Sequence, residues 1–274
     1  MEKAMTDRRI GPTVIVGIDG SQAAIHAAEW AADEAFGREV PLRMLAVLKA
    51  THPFAADYQR DVAHAEASLR AARAVVEAKG IPVKIETDVL LGQPGMILVS
   101  ESDGAEMVCV GSTGIDPYSR SLLGSTATEV AEKALCPVAV IRSQPDQRGP
   151  AINWIVVAVN DSPERDIVID QAMREAELHK LPVLAIGTDR ADGNEVSDHE
   201  LDNRLEPWRR WFPDVHIYPV TTPDGVTGFV KSNDDLVPLA VIGSADAGQL
   251  AKIVGPYDHP IFRHPQSSAL IIRE

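Results

Sequence analysis

Thr13-Val14-Ile15-Val16-Gly17-Ile18-Asp19-Gly20-Ser21 decides how the chain is read, because it occurs twice. Its echo, 141 residues later, is Trp154-Ile155-Val156-Val157-Ala158-Val159-Asn160-Asp161-Ser162. In both, a short continuous β-branched run suits a strand buried on both faces. The polar residues behind it suit a turn into a helix, with Ser21 placed to cap the first one. The same offset puts Glu34-Ala35 on Glu175-Ala176 and Pro41 on Pro182. Further on, Met107-Val108-Cys109-Val110-Gly111-Ser112 falls on Leu239-Ala240-Val241-Ile242-Gly243-Ser244 at an offset of 132. Gly124 then falls on Gly255, and Arg142 on Arg273, at 131. The offset shrinks only where loops are expected. Two copies of one domain, residues 1–147 and 148–274, are therefore expected. The polar stretch 143–150, with Pro and Gly, reads as their linker.

Strand-like runs alternate with helical ones in both copies. The first copy reads as strands near 14–18, 42–48, 83–90, 106–110 and 137–141, with helices from Ser21 through 36 and over 57–79, 94–102 and 125–134. In the long helix, Val62, Ala65, Leu69, Ala72 and Val76 step by three or four, which marks one buried face. The second copy reads as strands near 155–159, 182–186, 215–220, 237–242 and 268–272. This alternation implies an α/β fold with parallel sheets, right-handed crossovers and helices on both faces. Ligands in such folds sit at the carboxyl ends of the strands, where the strand order reverses.

Those ends carry one informative loop. The fourth strand runs into Gly111-Ser112-Thr113-Gly114-Ile115-Asp116-Pro117-Tyr118-Ser119-Arg120-Ser121-Leu122-Leu123-Gly124-Ser125-Thr126, a G-x2-G-x9-G-S-T pattern. It reads as an anion cradle. Gly111 and Gly114 are expected to take positive φ and let backbone approach a ligand. Gly124, Ser125 and Thr126 fall at a helix N-terminus, where free N–H groups and the macrodipole favour phosphate. Arg120 adds a charge if the loop folds over. Three glycines alone equally describe a surface loop that ends in an N-cap; the buried strand before and the helix after are the context a phosphate site requires. No lysine occurs between Gly111 and Thr128. The residue that holds the β- and γ-phosphates of P-loop enzymes is thus missing, and fast hydrolysis is not expected. Asp19, at the end of the first strand, is placed to hold Mg²⁺ or accept from a ribose or adenine donor. Its other reading is a carboxylate that only steadies the start of the first helix.

Charge and composition exclude several classes. Among 274 residues, 26 Lys and Arg face 40 Asp and Glu, a net charge of −14. That argues against a general affinity for nucleic acid or acidic membranes, though not against a pocket for one nucleotide. The first nine residues are polar, and no apolar run approaches the ~18 residues of a membrane span. A cytoplasmic protein is expected. Cys109 and Cys136 form no CxxC motif and sit in apolar stretches, as buried free thiols do. The eight histidines show no metal-ligand spacing and no evident pairing with an acidic residue. No G-x-S-x-G elbow marks a serine hydrolase. Trp208 and Trp211, three apart on an expected helix, are read as packing against the sheet, with a partner surface as the alternative.

Taken together, Gly17-Ile18-Asp19-Gly20-Ser21, the G-x2-G-x9-G-[ST] loop and the closing Cys136-Pro137-Val138-Ala139-Val140 strand resemble the universal stress protein family. The tandem layout is similar to its two-domain actinobacterial and mycobacterial members. The resemblance spans the whole chain, strongly over 11–142 and weakly over 152–274. It implies a five-stranded, Rossmann-like sheet of order 3-2-1-4-5 in each copy, of the adenine nucleotide alpha hydrolase-like kind. It also implies ATP binding, as in one branch of the family, with Mg²⁺. The implied contacts are Gly17, Ile18, Asp19, Gly20 and Ser21, the backbone near Val47, and Gly111, Ser112, Gly114, Arg120, Gly124, Ser125 and Thr126. Asp19 is the possible Mg²⁺ contact. In that strand order the apolar last strands are edges, and exposed edges call for a partner. Pairing them would make a pseudo-dimer within the chain, and two chains are expected to form a homodimer.

The second copy departs from this pattern. Asn160 replaces Asp19, Asp246 replaces Gly114, Pro256 replaces Ser125 and Tyr257 replaces Thr126. Gly243 and Gly255 are 12 apart, against 13 for Gly111 and Gly124. A carboxylate beside a triphosphate and two lost donors cost about 1–3 kcal/mol each. One nucleotide site per chain is expected, in the first copy. The leading expectation is a nucleotide-dependent regulatory module of a stress or dormancy response. A slow ATPase or a nucleotidyl or phosphoryl transferase on the same site, and a ligand-free interaction protein, are the alternatives.

Overall fold

The computed structural model describes residues 11–49, 55–114, 123–142, 153–187, 198–233, 236–254 and 267–273. The expected domain boundary and Arg120 lie outside the described residues. The first copy contains β1 (Val14–Gly17), α1 (Gln22–Gly37), β2 (Leu42–Leu48), α2 (Ala55–Ala78), β3 (Ile85–Leu91), α3 (Pro94–Glu101), β4 (Met107–Gly111), α4 (Ser125–Lys133) and β5 (Val138–Ile141). The second contains β6 (Ile155–Val159), α5 (Arg165–His179), β7 (Val183–Gly187), α6 (Asp198–Trp211), β8 (Ile217–Thr221), α7 (Gly225–Ser232), β9 (Leu239–Gly243), a 3₁₀ turn (Ser244–Gln249), α8 (Leu250–Ile253) and β10 (Ser268–Ile272).

All ten strands join one sheet, in the order β3-β2-β1-β4-β5-β10-β9-β6-β7-β8. Each half keeps the 3-2-1-4-5 order with parallel pairing. At the centre β5 and β10 pair antiparallel, with Leu270 opposite Ala139. Both strands are buried throughout and would be apolar edges in separate halves; here each covers the other. The arginines related by the repeat cross this seam reciprocally. Arg142 donates to the Val254 carbonyl of the second copy, and Arg273 to the Ala131 carbonyl of the first.

Side chains sort the helices into two layers. One face of the sheet packs against α1, α2, α5 and α6. The other packs against α3, α4, α7 and α8. Helix α1 presents Ala24, Ala27, Ala28, Ala31 and Ala35 to the strands, all nearly or fully buried; small side chains let a helix lie close to a sheet. Its N-terminus is capped as the sequence predicts, with Ser21 Oγ accepting from the Ala24 N–H at 3.1 Å. No helix among the described residues is long and apolar enough to cross a membrane.

Three expectations need correction. The third strand of each copy begins two residues late. The Val83 N–H turns back to Ile81 O, and the Val215 N–H to Phe212 O, so tight turns take those residues out of the ladder. Only Trp208 packs into the core; Trp211 is 69% exposed and touches Trp208 edge-on. The histidines are not all unpaired with acids, because His179 faces Glu175 one helical turn back and Glu34 of the first copy. Cys109 and Cys136 are buried and free, as expected.

Candidate functional site

The carboxyl ends of β1, β2 and β4 form the cleft of the first copy. Gly17 ends β1, and a Cβ there would meet Leu98 Cδ1 at 3.0 Å, so glycine lets α3 lie close. Ile18 is buried, and its N–H donates to Leu45 O at 2.8 Å. β1 stops there, while β2 continues to Leu48. Backbone groups of a strand alternate sides, so Val47 N–H and C=O point the same way as Leu45 O, past the end of β1.

After Ile18 the chain turns at Gly20, whose φ is +88°. A Cβ at Gly20 would lie 2.7 Å from Ser68 Oγ on α2, so glycine is required twice over. The turn exposes the Asp19 carboxylate. Asp19 Oδ1 accepts from the Ser21 N–H at 2.8 Å, and Oδ2 is turned to Gly114. One oxygen thus steadies the helix start and the other faces the glycine loop. The Ser21 hydroxyl is committed, accepting from Ala24 and donating to Thr113 O at 3.3 Å. Its role here is to tie the β1 turn to the β4 loop.

The glycines act by space rather than by φ. Neither Gly111 nor Gly114 has a positive φ, which corrects the expectation. A Cβ at Gly111 would meet the backbone of Ala23 and Ala24 at 2.8 Å, so glycine lets β4 touch the first turn of α1. A Cβ at Gly114 would sit 3.2 Å from Asp19 Oδ2, filling the gap between the carboxylate and the loop. Gly124 closes the loop by donating to Ser112 O at 2.8 Å and is the N-cap residue of α4. No side chain among the described residues caps that helix. Ser125 is exposed and Thr126 half-buried in its first turn, where N–H groups are free to meet an anion. Ser112 Oγ is buried without a hydrogen-bond partner. Among the described residues the cleft thus offers helix-start N–H groups, a carboxylate and glycine-lined backbone, a set that fits a Mg²⁺-nucleotide.

The equivalent place in the second copy is already filled. Asn160 takes the Asp19 position, with Oδ1 accepting from the Ser162 N–H and Nδ2 donating to Asp246 Oδ2 at 3.2 Å. Asp246 stands where Gly114 stands, and Gln249 binds its other oxygen. Glu164, at the position of Ala23, reaches under the loop and binds both Ser244 N–H and Ser244 Oγ, at 3.0 and 2.6 Å. Burial, and next the Glu164 charge, hold the Asp246 carboxyl above its ordinary range against the Gln249 bond. The remaining cavity, lined by Asn160, Asp224, Asp246 and Gln249, measures about 190 Å³. Pockets for drug-sized ligands run to ~300–1,000 Å³.

Comparison with known proteins agrees with this architecture. A model of the universal stress protein family matches residues 12–142. Universal stress protein Rv2624c of Mycobacterium tuberculosis is 54% identical over 261 residues, covering 95% of this chain and 96% of the relative. The chain belongs to the universal stress protein family. Universal stress protein Rv3134c of the same organism is 41% identical over 220 residues, covering 78% of this chain and 81% of the relative. A universal stress protein from Archaeoglobus fulgidus has the same fold across 95% of this chain and 96% of its own, with a TM-score of 0.68 at 14% identity.

Sequence reasoning missed one residue of this universal stress protein's second cleft, Glu164. The signal was within reach, since the offset of 141 places a carboxylate on Ala23.

Proposed function

We propose that this universal stress protein binds one ATP per chain with Mg²⁺, in its N-terminal copy (residues 1–147), as a nucleotide-dependent regulatory module. The observation that carries the reading is the contrast between two related clefts. In one, Asp19 Oδ2, Gly114 and the glycine-started first turn of α4 come together. In the other, Asn160, Asp246 and Glu164 satisfy one another and bring negative charge. Asp19 and the first turn of α4 would hold the metal and phosphates, and the Val47 backbone the base. Of the other implied contacts, Gly17, Gly20, Ser21 and Gly111 shape the cleft. Without a lysine or a general base at the phosphates, turnover is slow or absent. The C-terminal copy (148–274) has a structural or regulatory role. The protein works in the cytoplasm, as a homodimer.

The test is the nucleotide content of protein purified without added nucleotide, denatured and quantified by mass spectrometry. One ATP per chain is expected. Two per chain would overturn the dismissal of the second cleft. Mostly ADP or AMP would favour the ATPase or transferase alternative. No nucleotide, and no binding on adding Mg-ATP, would leave a scaffold.

A further inference from the structure

The C-terminal ends of α1 and α5 meet over the β5–β10 seam, related by the same repeat that relates the clefts. Gly37 and Leu178 are equivalent under the offset of 141, and a Cβ at Gly37 would touch Leu178 Cδ1 at 3.2 Å. Under that offset Glu34 corresponds to Glu175, and Arg38 to His179. All four meet. The Arg38 guanidinium lies 3.3 Å from Glu34 Oε2 and 3.7 Å from Glu175 Oε1. Gln171 Nε2 also donates to Glu175 Oε1, at 2.6 Å. These contacts account for one oxygen of each carboxylate.

The other two oxygens have no such partner. Glu34 Oε1, Glu175 Oε2 and His179 Nε2 are buried and form no hydrogen bond. The glutamates are only 2% and 1% exposed. His179 Nε2 is 3.7 Å from Glu34 Oε1 and 3.6 Å from Glu175 Oε2. These gaps are too wide for a hydrogen bond. They are close to the spacing of about 3.4 Å between two ligands of a tetrahedral ion at ~2.1 Å from each. The three donor atoms lie within 4.8 Å of one another. Trp30 stacks on the imidazole, with centroids 6.2 Å apart and planes 20° from parallel, so the ring is held in place. A cavity of about 450 Å³, lined by His26, Asp33, Lys79 and Arg142, reaches His179 and gives solvent a path to it.

We infer that Glu34, Glu175 and His179 form a binding site for a first-row divalent transition-metal ion, of which Zn²⁺ is the best fit, joining the two copies of the chain. Two carboxylate oxygens and one imidazole nitrogen are ligands that Zn²⁺ accepts, with one position left for water. Two buried carboxylates share one guanidinium and raise the His179 pKa to about 9 against its burial, so an ion that takes the imidazole nitrogen displaces the proton they hold there. A symmetric pair of arginines would leave no ligand; the change from Arg38 to His179 between copies creates one. The site stands on the opposite copies' helices and does not depend on the nucleotide reading.

The test uses the full chain stripped of metal with a chelator, then titrated with Co²⁺ and with Zn²⁺. One ion per chain is expected, with visible Co²⁺ absorption of a low-coordinate nitrogen and oxygen site, and Zn²⁺ raises the melting temperature. Glu175→Gln and His179→Gln each weaken binding at least ~100-fold, beyond the ~10–100-fold lost when only an outer-shell partner is removed. Circular dichroism confirms that both variants are folded. His199→Gln, a control at an exposed position of α6, leaves affinity unchanged. No ion bound at about 100 μM, or equal affinity in wild type and in both ligand variants, overturns the site.

Discussion

Replacing Gly114 by aspartate copies into the first cleft the feature that distinguishes the second. A Cβ at this position lies 3.2 Å from Asp19 Oδ2, so the new carboxylate comes within about 4 Å of the old one. Two like charges at that distance repel by ~1 kcal/mol in water and ~4 kcal/mol at an effective dielectric of 20. Asp19 is exposed, which favours the lower half of that range. The same charge faces the phosphates of the proposed ligand, adding a repulsion of similar size. The repulsion of Asp19 is present with and without ligand, so only the phosphate repulsion, about 1–2.5 kcal/mol, enters the affinity, a ~5- to 70-fold weaker Kd. Gly114→Asn matches the new side chain in size without its charge and should lose much less. Isothermal titration with Mg-ATP at low and high salt separates the two, since screening narrows the gap between Asp and Asn. If both variants bind within threefold of wild type, the cleft is not where the nucleotide sits. If Asn and Asp lose equally at low salt, space and not charge keeps glycine at 114.

Two further outcomes follow from packing and burial. Gly20→Ala forces a side chain onto a φ of +88° and into Ser68 Oγ, and should lower stability by about 1–3 kcal/mol, read as a drop in the urea midpoint; an unchanged midpoint would contradict the turn geometry. Burial holds the Cys109 thiol above its ordinary range and pushes Cys136 up to about 12, so a thiol reagent at pH 8 should label neither in the folded chain and both in urea. These acids keep their protons longer when folded than when unfolded, so their contribution makes stability fall as pH rises above about 9. A native protein that labels as fast as the unfolded one would refute their burial.

Much of the molecule is legible from one dimension. Runs such as Val14-Ile15-Val16 and Ile155-Val156-Val157 suit only a strand buried on both faces, and their recurrence gives two copies of an alternating α/β plan. Strand ends are less legible, since turns at Val83 and Val215 come from local hydrogen bonds that hydrophobicity does not encode. The glycine loop was legible as a site but not in its workings. Gly111 is needed because β4 touches the backbone of α1, a contact between residues almost ninety positions apart. Ser21 reads as a cap, yet its second bond, to Thr113, exists only because the sheet brings β1 beside β4.

The sequence by itself determined the repeat, the layer order within each copy, and the loss of a glycine and an acid from the second cleft. Each of these is a local pattern of residue types, and local patterns persist whatever the chain does elsewhere. Tertiary structure decided what lies between the copies. Nothing in the spacing of Glu34 and His179 says that they face each other. They do so because β5 and β10 bury their apolar edges against one another, which lays α1 across from α5. Burial then makes unsatisfied oxygens in that contact costly, where the same side chains in water would be satisfied by solvent.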